Sequence, residues 1–68
     1  MVNTLVLNEA IKRSGKKIDF LAKQCGITRQ AFANKRDGRS EFTAKEIKIL
    51  RTELGIKSLR ELESIFFA

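Results

Sequence analysis

Apolar residues recur at three- and four-residue spacing along most of the chain, which is the pattern of amphipathic helices. Leu7, Ala10 and Ile11, for example, share one face of a helix predicted over residues 4–13. Alternation of apolar and polar positions never persists, so no strand is predicted. The chain is therefore expected to form one all-α domain, residues 1–68, built from five short helices.

Two of the predicted helices are joined by a short turn that contains glycine. They cover about residues 18–24 and 28–36, on either side of Cys25, Gly26 and Ile27. A turn of about three to four residues with a glycine is what a helix-turn-helix requires. The small Ala22 side chain lies where a larger one would push the two helices apart. A helix-turn-helix is therefore predicted at about residues 18–36.

The last two helices have the clearest start signals. Thr43 is followed three residues later by Glu46, and Ser58 is followed by Glu61 in the same way. Each pair fits a capping box, in which the hydroxyl and the carboxylate both bond to free backbone N–H groups. We expect helices to begin after Thr43 and after Ser58, with Gly55 ending the earlier one.

Positive charge is concentrated in the middle of the chain. Residues 12–40 hold nine basic residues against Asp19 and Asp37, a net charge of +7, whereas the whole chain carries +6. Residues 41–68 hold five basic and five acidic residues, which cancel. A charge excess confined to one segment indicates a polyanionic partner such as nucleic acid.

Several kinds of enzyme are excluded by composition. There is no histidine, and one cysteine provides neither a disulfide nor a zinc site. The serines at positions 14, 40, 58 and 64 have no histidine to activate them. We expect no catalytic residues, no metal and no cofactor.

No apolar run approaches the roughly 20 residues of a membrane span. The first residues lack a basic segment before their apolar part, so no secretory signal is expected. Spreading of the cations over several short helices argues against a membrane-binding helix. A cytosolic protein without a membrane partner is therefore expected.

The third helix carries the candidate base-reading residues. Arg29, Gln30 and Asn34 are predicted to lie on a side away from Phe32. Arginine pairs with guanine O6 and N7, glutamine or asparagine pairs with adenine N6 and N7, and Ala31 suits a thymine methyl group. The alternative is an ordinary solvent-facing helix surface. The central charge and the turn together favour DNA.

Phosphate contacts are predicted for the flanking cations, namely Lys16, Lys17, Lys35, Arg36 and Arg39. The N-terminus of the second helix is a further candidate for a phosphate. No aromatic residue alternates with these cations, which argues against a single-strand binder.

The stretch "FLAKQCGITRQAFANKRDGRSEFTAKEIKIL" resembles the Cro/CI-type helix-turn-helix regulators. More narrowly, "NKRDGRSEFTAKEI" with the ending "SIFFA" is similar to small Cro-like regulators from bacteriophages of Gram-positive bacteria. The resemblance covers about residues 5–67 and implies a compact, five-helix, lambda-repressor-like DNA-binding domain. It also implies homodimers at operators, in the cytoplasm of a bacterial host and associated with its nucleoid.

For individual residues, the resemblance implies base contacts at Arg29, Gln30 and Asn34. It further implies phosphate contacts near a set of residues that partly overlaps the cations above: Lys17, Thr28, Gly38, Arg39 and Ser40.

Three positions depart from the family pattern. Lys17 stands where Ser, Thr or Asn commonly caps the second helix, and Ile18 stands where a polar residue often touches DNA. Lys35 occupies a position that is often apolar, and its stem can cover the core while its ammonium reaches outward.

Two functions remain open. One is a sequence-specific double-stranded DNA-binding transcriptional regulator, a repressor that places its third helix in the major groove. The other is an antirepressor that uses the same scaffold to bind a repressor protein. Phe66 is expected in the core, while Phe67 is either a loose terminus or a dimer contact.

Overall fold

The computed structural model describes all residues, 1–68, as a compact all-helical domain without strands. This confirms the prediction of an all-α fold with five short helices. The helices are α1 (Thr4–Ser14), α2 (Ile18–Cys25), α3 (Arg29–Arg36), α4 (Ala44–Glu53) and α5 (Leu59–Phe66). No helix in the chain combines the length and apolar character that crossing a bilayer demands.

The turn between α2 and α3 is built around Gly26. Its backbone has φ +73°, in the left-handed region that a residue with a Cβ rarely adopts. The Gly26 N–H donates to the Lys23 carbonyl at 3.0 Å, and the Ile27 N–H donates to the Ala22 carbonyl at 3.0 Å. These bonds close the end of α2 and direct the chain into α3, as the glycine predicted.

The two predicted capping boxes have different outcomes. At the start of α4, the Thr43 hydroxyl accepts from the Glu46 N–H and the Glu46 carboxylate accepts from the Thr43 N–H, so the box is complete. At the start of α5, the Ser58 hydroxyl accepts from the Glu61 N–H at 3.0 Å. The Glu61 carboxylate, however, accepts from Arg13 at 2.7 Å. The second box is therefore only half formed, since the Glu61 carboxylate bonds to Arg13 on α1 and not to the Ser58 N–H.

The core joins α2 to α3 and α4, and α1 to α5. Phe42, in the α3–α4 loop, meets Phe32 and Phe66 edge to face, with ring centroids 5.6 and 5.5 Å apart. Phe66 is buried, as predicted. Twelve apolar residues form the buried cluster: Leu7, Ala10, Ile11, Leu21, Ala22, Phe32, Leu50, Leu54, Ile56, Leu62, Ile65 and Phe66.

The two chain ends lie together on α5. The Asn3 N–H donates to the Ile65 carbonyl at 2.7 Å, and the Ala68 N–H donates to the Met1 carbonyl at 3.1 Å. The last helix thus packs on α1 and leaves Arg29 on α3 largely exposed.

Candidate nucleic-acid interface

Helix α3 has one side fixed in the core. Phe32, midway along the helix, is fully buried, and Thr28 caps the first turn by accepting from the Ala31 N–H at 3.0 Å. With Phe32 pointing inward, the residues on the opposite side of α3 face solvent. The sequence predicted this orientation from the position of the phenylalanine.

The candidate base-reading residues lie on the first two turns of α3, and Gln30 and Asn34 are on the side opposite Phe32. Arg29 and Gln30 are exposed, while Ala31 and Asn34 are half-buried. The Gln30 Nε2 donates to the Asn34 Oδ1 at 3.2 Å, a pairing of residues one helical turn apart. Gln30 keeps its oxygen and one N–H free, which are the acceptor and donor that an adenine edge requires.

Arg29 has a neighbour that the sequence did not reveal. Its Nε lies 3.3 Å from the Asp19 Oδ1, and the two side chains are 73% and 69% exposed. Because the carboxylate approaches Nε, the terminal nitrogens of the guanidinium stay free for a guanine. Asp19 belongs to the first turn of α2, and only the docking of α2 on α3 brings it to Arg29.

Some predicted phosphate-contacting residues are free. Lys17 and Arg39 are exposed and form no ion pair, and the Ser40 side chain and N–H make no hydrogen bond within the protein. Gly38, with φ +84°, donates its N–H to the Lys35 carbonyl, so that N–H is occupied. The Thr28 hydroxyl oxygen accepts from the Ala31 N–H as the α3 cap, and its O–H remains free to donate.

The N-terminus of α2 is also available. Lys17 occupies the cap position and makes no side-chain cap bond, in agreement with its departure from the usual Ser, Thr or Asn. First-turn N–H groups of a helix have no partner within the helix, so they favour an anion. Ile18 packs against the core instead of projecting outward.

Lys35 differs from the expectation of a phosphate contact. Its Nζ lies 2.6 and 2.7 Å from the two carboxylate oxygens of Glu46, and the side chains are only 15% and 8% exposed. The ammonium turns inward because a carboxylate at the start of α4 meets it beside the core. Lys35 is therefore part of the protein's interior bonding and leaves the set of free cations.

Lys16 and Arg36 have partners that are more exposed. The Lys16 Nζ lies 2.7 Å from the Glu53 Oε1 and 5.7 Å from the centre of the Phe20 ring. The Arg36 Nε lies 3.1 Å from the Asp37 Oδ1. Exposed ion pairs contribute only about 0–1 kcal/mol, so a phosphate can compete for either cation.

Folding reduces the charge excess of the central segment. Three of its cations pair with acids of α4 and α5, through Arg13–Glu61, Lys16–Glu53 and Lys35–Glu46. Subtracting these three acids lowers the segment's excess from +7 to +4. The positive charge that the central segment can offer a partner is therefore smaller than the linear sequence indicates.

No cluster of three His, Cys, Asp or Glu side chains that could hold a metal ion is present. Burial, reinforced by the negative charge of Glu46, raises the pKa of the half-buried Cys25 thiol. Cys25 therefore stays protonated at neutral pH and is a poor nucleophile.

An apolar groove of about 210 Å³ lies where the chain ends meet the α3–α4 loop. Phe67, at its edge, is 61% exposed. The apolar lining residues are Met1, Val2, Phe42, Ile47, Phe66 and Phe67.

No protein-family model, no curated protein and no solved structure matches this chain. Its relation to the Cro/CI-type regulators therefore stays a prediction from the residues quoted above.

Proposed function

We propose that this protein is a sequence-specific double-stranded DNA-binding regulator of transcription that inserts α3 into the major groove. The observation that carries the proposal is the pairing of Gln30 with Asn34 opposite the buried Phe32, with Arg29 exposed at the start of the same helix. These side-chain types, on a short helix after a glycine turn, match the chemistry of base edges.

Base recognition would divide among the residues of that surface. Arg29 donates its terminal N–H groups to a guanine, and the bonded Gln30–Asn34 pair presents an amide edge to an adenine. Ala31 is small enough to admit a thymine methyl group. Sequence selectivity therefore comes from the first two turns of α3.

Phosphate binding would come from groups that flank α3. Lys17 and the N-terminus of α2 lie on one side of the helix-turn-helix, and Arg39 and Ser40 follow α3 on the other. Each phosphate contact made by a cation steepens the dependence of log K on log salt by about 0.9. Lys16 and Arg36 would add to this slope after exchanging their carboxylate partners for phosphate.

A homodimer is part of the proposal. A single small DNA-binding module buries only about 600–1,000 Å² of its own surface on DNA, which favours two copies on one operator. Half-sites centred about 34–36 Å apart, one helical turn of DNA, would suit two such helices. Gel filtration with and without the operator, combined with half-site titrations, measures whether the protein binds as a dimer. Tight, selective binding of a strict monomer to one half-site would contradict it.

Selection from a pool of random duplexes tests the main proposal. We expect a short, two-fold symmetric site to be enriched by the purified protein. Arg29→Ala should lose preference at one base pair per half-site. Lys57→Ala removes a charge from the α4–α5 turn and serves as the control, with its base preference unchanged. Failure to enrich any sequence would contradict sequence-specific binding.

The groove at the chain ends favours one alternative, an antirepressor that binds a repressor protein. An apolar edge formed by Met1 and Phe67 is a surface that a protein partner would cover. A promoter reporter separates the two functions. Activity that survives Arg29→Ala and is lost in Phe67→Ser supports the antirepressor, and the opposite result supports DNA binding.

A further inference from the structure

Glu46 is the one charged residue among the buried residues. Its Oε1 accepts from the Lys35 Nζ at 2.6 Å and from the Thr43 N–H at 2.9 Å, and its Oε2 accepts from Lys35 at 2.7 Å. No buried side-chain nitrogen or oxygen in the protein lacks a partner. A fully bonded unit thus connects the last turn of α3 to the first turn of α4. We call Lys35, Glu46 and Thr43 the α3–α4 anchor.

Stability alone does not explain this anchor. Removing two charges from water is costly, and apolar pairs of similar volume often stabilise a protein as well or better. Capping of α4 does not explain it either, because glutamine at position 46 fits a capping box equally well. The property that the ion pair adds is direction, since hydrogen bonds require defined geometry whereas apolar packing does not.

Direction matters on α3 because of what lies on its other side. Phe32 holds one side of the helix by apolar packing, and the hydrophobic effect behind that packing is non-directional. Lys35 directly follows Asn34, and its bonds to α4 restrict the rotation of α3 about its own axis. Recognition sites need their side chains within about 0.5 Å and 10–20° of the productive geometry.

We propose that Lys35 and Glu46 are positioning residues for base recognition, because their ion pair sets the rotation at which α3 presents Gln30 and Asn34. This inference rests on the proposed function. Neither residue touches DNA in this role.

The test is the double variant Lys35→Met/Glu46→Gln, which removes both charges, keeps the cap on Thr43 and leaves net charge unchanged. The matched control is Arg13→Met/Glu61→Gln, which makes the same charge change at the exposed α1–α5 pair. Thermal unfolding, salt-dependent affinity for a random duplex, and affinity for the selected operator and its single-base variants are measured for each protein.

We expect the anchor variant to fold and to bind a random duplex with the salt slope of the unmodified protein. Its discrimination at the positions read by Gln30 and Asn34 should fall at least about fivefold, the lower end for one good bidentate contact. The control should keep its discrimination. Wild-type discrimination in the folded anchor variant would overturn the inference.

Glu46→Gln alone carries the same test if the double variant fails to fold. Glutamine keeps an oxygen that can accept from the Thr43 N–H and from Lys35. Discrimination at the positions read by Gln30 and Asn34 should therefore fall by only about twofold to threefold, less than in the double variant. Unchanged discrimination in folded Glu46→Gln would overturn the inference. Absence of selective binding in the unmodified protein is a separate result, which refutes the proposed function and the inference with it.

Discussion

The two ends of α3 differ in what holds their side chains. At the first turn, Arg29 and Gln30 are exposed, and their partners are the exposed Asp19 and the half-buried Asn34. At the last turn, Lys35 is bonded to a buried carboxylate, and the Arg36 carbonyl accepts from the Thr4 hydroxyl at 2.7 Å. One end of the helix is thus open to a ligand, and the other is tied to α1 and α4.

This difference shows that a cation's position in sequence does not establish its role. Arg29 and Lys35 lie on the same short helix and carry the same charge. Of these two, only Arg29 keeps terminal nitrogens available, because the largely buried Lys35 ammonium bonds to both oxygens of Glu46. The proposed DNA affinity must therefore come from cations other than Lys35.

The largest effect on stability is expected from removing the ion pair between Lys35 and Glu46 at the last turn of α3. Lys35→Met leaves the Glu46 carboxylate buried without its cation, and removing one partner of a buried ion pair costs about 3–5 kcal/mol. The remaining Thr43 bond moderates this, so we expect a loss of about 3 kcal/mol in the free energy of unfolding. Urea denaturation measures it. The Lys35→Met/Glu46→Gln double variant should recover most of this loss. A free energy of unfolding for Lys35→Met within about 0.5 kcal/mol of the unmodified protein would contradict a stabilising role of the ion pair.

The open end should show the opposite behaviour. Arg29→Ala removes an exposed side chain, so the free energy of unfolding should change by no more than about 0.5 kcal/mol. Selectivity at one base pair of the operator should fall by about 1–3 kcal/mol. Denaturation and competition binding, done on the same preparation, measure both quantities. A large loss of stability in Arg29→Ala would remove the distinction between the two ends.

The sequence predicted the helices of this protein because their signals are local. The caps at Asn3, Thr28, Thr43 and Ser58 all bond to N–H groups within three residues, and periodicity identified the inward side of each helix. Phe32 was enough to orient α3. Local chemistry therefore predicted both the elements and the side of α3 that faces solvent.

The ion pairs could not be predicted in the same way. Lys35 and Glu46 are 11 residues apart and Arg13 and Glu61 are 48 apart, so their contacts depend on how the helices dock. The same reason explains the half-formed box at Ser58. Its pattern of a hydroxyl residue followed three residues later by glutamate matches the complete box at the start of α4, but its glutamate bonds to Arg13 on α1 and not to the Ser58 N–H.

The stability that Glu46 contributes at the last turn of α3 should also depend on pH. Burial acts to raise the pKa of Glu46, but hydrogen bonds from Lys35 and the Thr43 N–H outweigh it and hold the pKa below the ordinary value of 4.5. A lowered folded-state pKa stabilises the protein above the unfolded-state value, and this stabilisation is lost as the pH falls through the folded-state pKa. The free energy of unfolding, measured from neutral pH to below pH 4.5, should therefore fall more steeply in the unmodified protein than in Glu46→Gln. Parallel curves would contradict an ionised, bonded Glu46.

The smallest effects compare the same charge change at both ends of α3. Asp19 faces Arg29 at the open end, and Asp37 faces Arg36 at the other. Asp19→Asn and Asp37→Asn each remove one negative charge near the proposed phosphate path, so both should raise affinity for a random duplex by about twofold to threefold. Only Asp19→Asn should also weaken the preference for guanine, because Asp19 approaches Nε and orients the guanidinium that reads the base. Competition with duplexes substituted at that base pair measures the preference. An equal change of guanine preference in Asp19→Asn and Asp37→Asn would mean that Asp19 acts only through its charge. Other contacts would then orient the Arg29 guanidinium.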